Sequence, residues 1–436
     1  MRLTFLLFGL LGLLAHAVPV AASPADWTVL VYMNGNNNLA DFIPANYDQM
    51  RKVGSSGNLN IVVQYATAHK DANDQYVSEG TWRVRVTTDK LKPRPQYADE
   101  SLGSTDMGKP QTLTDFMKWG IAHYPASHYF LIIWNHGQGY RAEARIAGRP
   151  MPKRPGLPSA APFRSVSSDD VYGSKLYVRQ IEDALKAVEA QDLHGHPIDI
   201  IGFDACLMAM VENAYAFRDA ADLLVASQEL EPGDGWDYQP WLKSLSANTK
   251  LAPSEVAKSV VDAYQAAYEK SDATTTLSTV DLHQATRLAK AVSELGEGMM
   301  HLLPGAAASI DKARKACPTY APKPYAGDNN DYFFYVDVGC IATAAQVQLK
   351  KPAMTAAAND IQAALKAAVL KEYTGNDRKS FGTSGLTIYF PSTASQFAND
   401  VFAEHGYDKN NTLAPVEFVN DYEWADFLHA LYPPSP

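Results

Sequence analysis

Short apolar runs alternate along this chain with amphipathic stretches whose apolar residues recur at helical spacing. The helical pattern is clearest at 112–123, 178–190 and 208–218. Strand-like apolar runs lie at 27–33, 59–65, 82–86, 129–134, 198–203 and 223–226, with a last one at 385–390. This alternation predicts an α/β fold, in which helices cover both faces of a mostly parallel sheet.

Two regions depart from this alternation of strand-like and helical segments. Residues 141–168 combine several prolines with basic residues, which predicts an exposed, flexible insertion. After about residue 282 the composition becomes rich in alanine and lysine, and the pattern becomes mainly helical. We therefore expect a core over 23–290 that carries the insertion at 141–168, followed by a helix-rich C-terminal α/β region over 291–436.

The first 22 residues have the pattern of a secretory signal peptide. Arg2 precedes an apolar run over 3–14, and small residues then offer cleavage after Ala17 or Ala22. An uncleaved membrane anchor is the alternative, although the apolar run is short for a membrane span. We expect a secreted or periplasmic protein without stable membrane insertion.

Composition and charge narrow the range of partners. The 436 residues are 46% hydrophobic and 20% charged, which is enough to form a packed core and excludes a disordered chain. The 38 Lys and Arg against 48 Asp and Glu give a net charge of -10. This balance argues against nucleic-acid binding and favours a cationic substrate or partner. Nothing in the sequence indicates an oligomeric state.

Two predicted strands run directly into reactive side chains. The run at 129–134 is followed by His136 and Gly137, and the run at 198–203 by Asp204 and Cys206. In one parallel sheet these groups emerge at the same edge, where a thiol nucleophile meets its base. The Gly137 N–H is a candidate oxyanion donor, and the helical pattern that begins at Met208 predicts a helix dipole that favours the thiolate. A buried cysteine and a histidine in a turn, without catalysis, are the alternative.

The segments YFLIIWNHG at 129–137 and GFDACLM at 202–208 resemble the two signature blocks of the clostripain family of cysteine peptidases. Weaker matches lie at 31–35, 107–116, 231–236 and 385–391. The resemblance implies a caspase-like fold, with His136 as acid/base and Cys206 as nucleophile. A different specificity, or a non-catalytic extracellular binding module with the same fold, remains an alternative.

The same resemblance implies protein or peptide substrates that are cut after Arg or Lys, without an organic cofactor. Asp204 stands where the family faces the basic P1 side chain, and Asp234 is a weaker candidate for a second acid of the pocket. A helix N-cap is the alternative role for Asp204.

Three further expectations concern processing, calcium and redox state. Family members are often cut between the two blocks, so the basic residues of the insertion are candidate self-processing sites: Arg141, Arg145, Arg149, Lys153, Arg154 and Arg164. A tolerated surface loop is the alternative.

Calcium dependence occurs in the family, but Asp169-Asp170 lacks the spacing of an EF-hand loop. In an oxidising compartment we expect Cys317 to pair with Cys340, which leaves Cys206 as the free thiol.

Overall fold

The computed structural model describes residues 24–89, 95–140, 166–321, 333–400, 407–409 and 416–433. The expected signal peptide and the basic residues of the insertion lie outside these described residues. The strands are β1 Ala25–Gly35, β2 Leu59–Lys70, β3 Tyr76–Arg85, β4 Glu100–Gly103, β5 Ala126–Trp134, β6 Ser167–Asp169, β7 Ser174–Leu176, β8 Ile198–Asp204, β9 Ala221–Ala226, β10 Thr276–Asp281, β11 Tyr335–Asp337, β12 Val369–Thr374 and β13 Thr387–Tyr389. The helices are α1 Ile43–Val53, α2 Pro110–His123, α3 Val178–Asp192, α4 Val211–Phe217, α5 Tyr238–Ala247, α6 Pro253–Tyr268, α7 Ala285–Met300, α8 Ala307–Ala316, α9 Val338–Leu349, α10 Pro352–Ala368, α11 Ala394–Asn399, α12 Glu417–Asp421 and α13 Trp424–Leu431.

Nine strands form one sheet in the order β12-β10-β9-β8-β5-β1-β2-β3-β4. The central strands β9, β8, β5, β1 and β2 are all parallel, and antiparallel strands extend the sheet at both edges. The predicted mostly parallel α/β sheet is therefore confirmed.

Both faces of the central strands are buried, and alternate residues serve different cores. In β5, Leu131 and Ile133 join the larger core, which also contains side chains of α2, α3 and α7. Phe130 and Ile132 join a second core with side chains of α1, α5 and α6. Because successive side chains of a strand point to opposite faces, a continuous apolar run is what such a strand requires.

The pairing of β5 with β8 brings the segments after both strands together. Trp134 lies opposite Asp204, and the next backbone N–H, of Asn135, donates to the Asp204 carbonyl oxygen at 3.2 Å. Gly137 then packs directly against the Cys206 backbone. A β-carbon added to Gly137 would lie 2.2 Å from the Cys206 carbonyl oxygen, so only glycine fits there.

The C-terminal region pairs with the main sheet and also contacts the segment after Cys206. Its strand β12 pairs with β10 at the sheet edge, and Thr387 of β13 bridges to Met210, four residues after Cys206.

Cys317 and Cys340 form a disulfide. The domain boundary near residue 290 stays a prediction of the sequence. None of the helices in the described ranges is long and apolar enough to cross a membrane.

We predict that the unreduced protein, unfolded in denaturant, exposes a single titratable thiol, that of Cys206. Reduction should lower the free energy of unfolding by about 3 kcal/mol, since the Cys317–Cys340 bridge closes a loop with a sequence separation of 23. Thiol titration and urea denaturation measure both quantities, and a Cys317→Ser, Cys340→Ser double variant should match the reduced protein. A count of three thiols would contradict the pairing.

A second prediction concerns Gly137. The Gly137→Ala variant should lose about 1–3 kcal/mol of unfolding free energy, because the added methyl group meets the Cys206 backbone rather than a flexible side chain. Gly57→Ala is the matched control, since a β-carbon there meets no atom within 4 Å. Urea denaturation compares the two variants, and equal stabilities would show that β5 and β8 do not approach as described.

Candidate active site

The carboxyl ends of three neighbouring parallel strands supply the polar groups of the site. Asn38 follows β1, His136 follows β5 and Cys206 follows β8. His136 and Cys206 each lie two residues beyond the paired residues Trp134 and Asp204, so they stand at the same level of the sheet. This register sets His136 and Cys206 at one edge of the sheet, and their catalytic roles stay predictions.

His136 is buried, and its ring is held from the end of β1. The Nε2 atom lies 2.8 Å from Asn38 Oδ1, and the backbone N–H donates to Asn135 Oδ1 at 2.6 Å. An amide oxygen only accepts, so Nε2 carries the proton in this contact. The neutral ring then has its lone pair on Nδ1, which is the nitrogen able to accept another proton.

Buried asparagines fix the loops around this histidine. The Asn135 side chain donates to the carbonyl oxygens of Asn34 at 2.6 Å and Ser168 at 3.2 Å. The Asn37 side chain donates to the same Ser168 oxygen at 2.8 Å. These bonds join the ends of β1, β5 and β6. Sequence reasoning assigned no role to the Asn-rich segment 34–38, although it follows a buried strand just as the His136 segment does.

Cys206 is half-buried and lies against the loop after β9. Its Sγ accepts a hydrogen bond from the Glu231 backbone N–H at 3.2 Å, and the Glu231 carbonyl oxygen is 3.9 Å away. Burial raises the pKa of the Cys206 thiol to about 12, and the charges of Glu231 and Glu229 act in the same direction. The resting sulfur is therefore a neutral thiol, which needs a base to become a nucleophile.

The prediction that a helix dipole acts on the Cys206 thiol is wrong. The helix α4 starts only at Val211, and Leu207 has φ of 66°, outside the helical region. The backbone N–H groups of Leu207 and Ala209 instead donate to Glu229 and Ser227. These bonds to the loop after β9 replace the first helical turn. The alternative role of Asp204 as a helix N-cap is also wrong, because the N-cap residue of α4 is Met210.

Asp204 ends β8 with its carboxylate buried beneath the loop 231–236. The Trp236 backbone N–H donates to it at 3.2 Å, and the Tyr238 hydroxyl donates at 2.8 Å. A β-carbon on Gly235, whose φ is 65°, would lie 2.6 Å from Asp204 Oδ1, so this loop covers the carboxylate closely. Burial raises the pKa of Asp204 to about 6. Its expected contact with a P1 side chain stays a prediction.

Two further acids lie on the same loop in different surroundings. Asp234 is exposed, and its backbone carbonyl oxygen accepts from the Asn46 side chain at 2.8 Å. Its role as a pocket acid stays a prediction. Glu231 had no role in the sequence analysis, yet both of its carboxylate oxygens are buried. Burial and the adjacent Asp204 charge raise the pKa of Glu231 well above its usual range.

Among the described residues, the acidic side chains near these groups are not arranged as a calcium site. Asp169 is buried and already accepts hydrogen bonds from Asn36, Met107 and Tyr172. Within the described ranges no three His, Cys, Asp or Glu side chains are arranged to hold a metal ion. Calcium dependence is left open, as it was by the sequence. Self-processing at the basic residues of the insertion stays a prediction, and those residues lie outside the described chain.

Comparison with known proteins places the chain in a family. The sequence model of the clostripain family matches residues 31–431. Clostripain of Hathewaya histolytica is 27% identical over 243 residues, which cover 50% of this chain and 42% of clostripain. The chain therefore spans less than half the length of that relative.

Solved structures with the same fold include two C11 proteases. An inactive zymogen from Parabacteroides distasonis is 18% identical, with a TM-score of 0.60 and coverage of 93% of this chain and 99% of its own. A secreted cysteine protease from Bacteroides thetaiotaomicron, in complex with an irreversible peptide inhibitor, is 17% identical, with a TM-score of 0.55 and coverage of 87% and 98%. This likeness confirms the predicted caspase-like fold. Because the family model matches nearly its whole length, the chain belongs to the clostripain family of cysteine peptidases.

Proposed function

We propose that this chain is an exported endopeptidase that cleaves proteins or peptides after arginine or lysine, with Cys206 as nucleophile and His136 as acid and base. The observation that carries the proposal is the register of β5 and β8, which sets Trp134 opposite Asp204 and packs Gly137 against Cys206. Cys206 is also the only thiol outside the disulfide. A nucleophile and a base at adjoining strand ends are what acyl transfer requires.

The reaction follows from these groups in two stages. His136 Nδ1 takes the proton of the Cys206 thiol while the sulfur attacks the scissile carbonyl carbon. The backbone N–H groups of Gly137 and Cys206 hold the resulting oxyanion. The carbon–nitrogen bond then breaks, His136 protonates the leaving amine, and an acyl-thioester remains. Water, deprotonated by His136, hydrolyses the thioester and restores the thiol, so no organic cofactor takes part.

The proposed preference for a basic P1 residue rests on the acids behind the nucleophile. Asp204 lies two residues before Cys206, and the groups that shift its pKa include no lysine or arginine among the described residues. A buried carboxylate without a cationic partner attracts a guanidinium or ammonium group. The net charge of -10 also favours the approach of cationic substrates.

Export is proposed from two independent indications. The N-terminal segment 1–22 has the sequence pattern of a cleaved signal peptide. A paired cysteine bridge, as at Cys317 and Cys340, persists in oxidising compartments. The Bacteroides thetaiotaomicron protein with the same fold is described as secreted, which agrees with this location.

We predict that reporter peptides with Arg or Lys at P1 are cleaved, whereas matched Asp and Asn peptides are not. Asp204→Asn should lower kcat/KM for the Arg peptide about 100-fold, because the substrate cation loses its charged partner in a buried pocket. Continuous fluorescence assays of the four peptides measure both effects.

Two controls accompany this experiment. Cys206→Ala should abolish cleavage of every peptide, and the Asp204→Asn variant should still be alkylated at Cys206 by iodoacetamide, which shows that its loss is one of recognition. Persistent cleavage by Cys206→Ala would refute the nucleophile. Unchanged Arg selectivity in Asp204→Asn would refute the pocket.

A further inference from the structure

The segment that carries His136 lies between the ends of two other strands. In the sheet, β5 stands between β8 and β1, so Cys206 leaves the sheet on one side of His136 and Asn38 on the other. The amide oxygen of Asn38 lies 2.8 Å from His136 Nε2. One ring nitrogen therefore has its partner on the β1 side, opposite the side on which Cys206 follows β8.

The backbone on both sides of Asn38 is fixed by a buried neighbour. Asn37 Oδ1 accepts a hydrogen bond from the Leu39 N–H at 2.8 Å, and the Asn37 carbonyl oxygen accepts one from the Ala40 N–H at 3.2 Å. The Asn37 amide group donates in turn to the Ser168 carbonyl oxygen at 2.8 Å. These bonds hold residue 38 beside the ring, although its own side chain is exposed. A polar contact made from such a frame is more precise than one made from a free loop.

An amide at this position has two effects on a ring that must gain and lose a proton. Its oxygen accepts the Nε2 hydrogen, so it selects the tautomer whose basic nitrogen is Nδ1. When Nδ1 takes the thiol proton, the ring becomes cationic, and the same hydrogen bond becomes charge-assisted and stronger. Because the amide is neutral, it favours the imidazolium less than a carboxylate would, and the ring can still pass its proton to the leaving amine.

We propose that Asn38 is a positioning residue of the reaction, whose amide oxygen holds His136 in the Nε2–H tautomer with Nδ1 toward Cys206 and stabilises the imidazolium as it forms. This rests on the proposed function, because it takes His136 as the acid and base. The proton balance is closed. Nδ1 gains the proton that the sulfur loses and later gives it to the leaving amine, while Nε2 keeps its proton and its bond to Asn38 throughout.

The test replaces Asn38 in the full chain and follows cleavage of an Arg reporter peptide across the pH range. In Asn38→Ala we expect kcat to fall about 10-fold with KM unchanged, because the contact gains strength only after the ring is charged. In Asn38→Asp we expect the acid limb of kcat/KM to move up by about one pH unit, because a carboxylate beside Nε2 favours the imidazolium and the neutral base then forms only at higher pH. Since the side chain at 38 is exposed, both variants should fold, which urea denaturation checks.

Asp41→Asn is the matched control, because Asp41 is exposed on the same loop and the substitution also changes the charge by one unit. It should leave kcat and the acid limb unchanged. The other ionisable groups at the strand ends nearby are Asp169 at the end of β6, Asp204 at the end of β8, and Cys206. They are the same in every variant, so a displaced limb reports on residue 38.

A wild-type kcat in Asn38→Ala, or an acid limb in Asn38→Asp that coincides with that of the wild type, would overturn the positioning role. A rise of KM in place of the fall in kcat would also overturn it, because Asn38 would then act in substrate binding.

Alkylation of Cys206 by iodoacetamide in the same variants separates this inference from the proposed function, since it requires no peptide substrate. If the wild type cleaves the Arg reporter but kcat and alkylation are unchanged in Asn38→Ala, only the positioning role is refuted. If the wild type cleaves no Arg reporter but Asn38→Ala is alkylated more slowly near pH 7, the proposed specificity is refuted and the role of Asn38 is supported.

Discussion

The parallel pairing of β5 with β8 is the constraint on which the site depends. It sets Trp134 opposite Asp204, so the segments that follow these residues leave the sheet at the same level. The two backbones are so close that Gly137 has no room for a side chain against Cys206. Residues far apart in sequence thereby become neighbours on a rigid element, and a sheet edge holds reacting groups more firmly than a free loop does.

Burial and nearby negative charge favour the protonated forms of the ionisable groups at this site. The Asp204 and Glu231 carboxyl groups are buried and Cys206 is half-buried, and none of the described groups that shift their pKa is a lysine or an arginine. Each such group favours its protonated form, since an isolated charge is costly in a medium of low polarity. Entry of a positive side chain would relieve this repulsion at the moment when the thiol must lose its proton. Recognition and activation of the nucleophile would then share one electrostatic origin.

The sequence was sufficient to predict the sheet and the strand ends, because long apolar runs that stop at polar residues mark the edge of a buried sheet. It was insufficient for contacts that depend on partners far away. The helical pattern from Met208 predicted a helix that the structure replaces with bonds to the loop after β9 and to Thr387. Asn38 lies 98 residues before His136, and its contact with the ring follows only from the adjacency of β1 and β5. Glu231 was visible as part of a matched segment, but its burial was not.

The coupling of His136 to Cys206 is the central claim, and the pH dependence of Cys206 alkylation by iodoacetamide tests it most directly, since the other two cysteines are paired. Near pH 7 the wild type should react about 100-fold faster than His136→Ala, whose half-buried thiol ionises only in strongly alkaline solution. Superimposable rate profiles for the two proteins would show that the imidazole does not act on this sulfur, and would contradict the account.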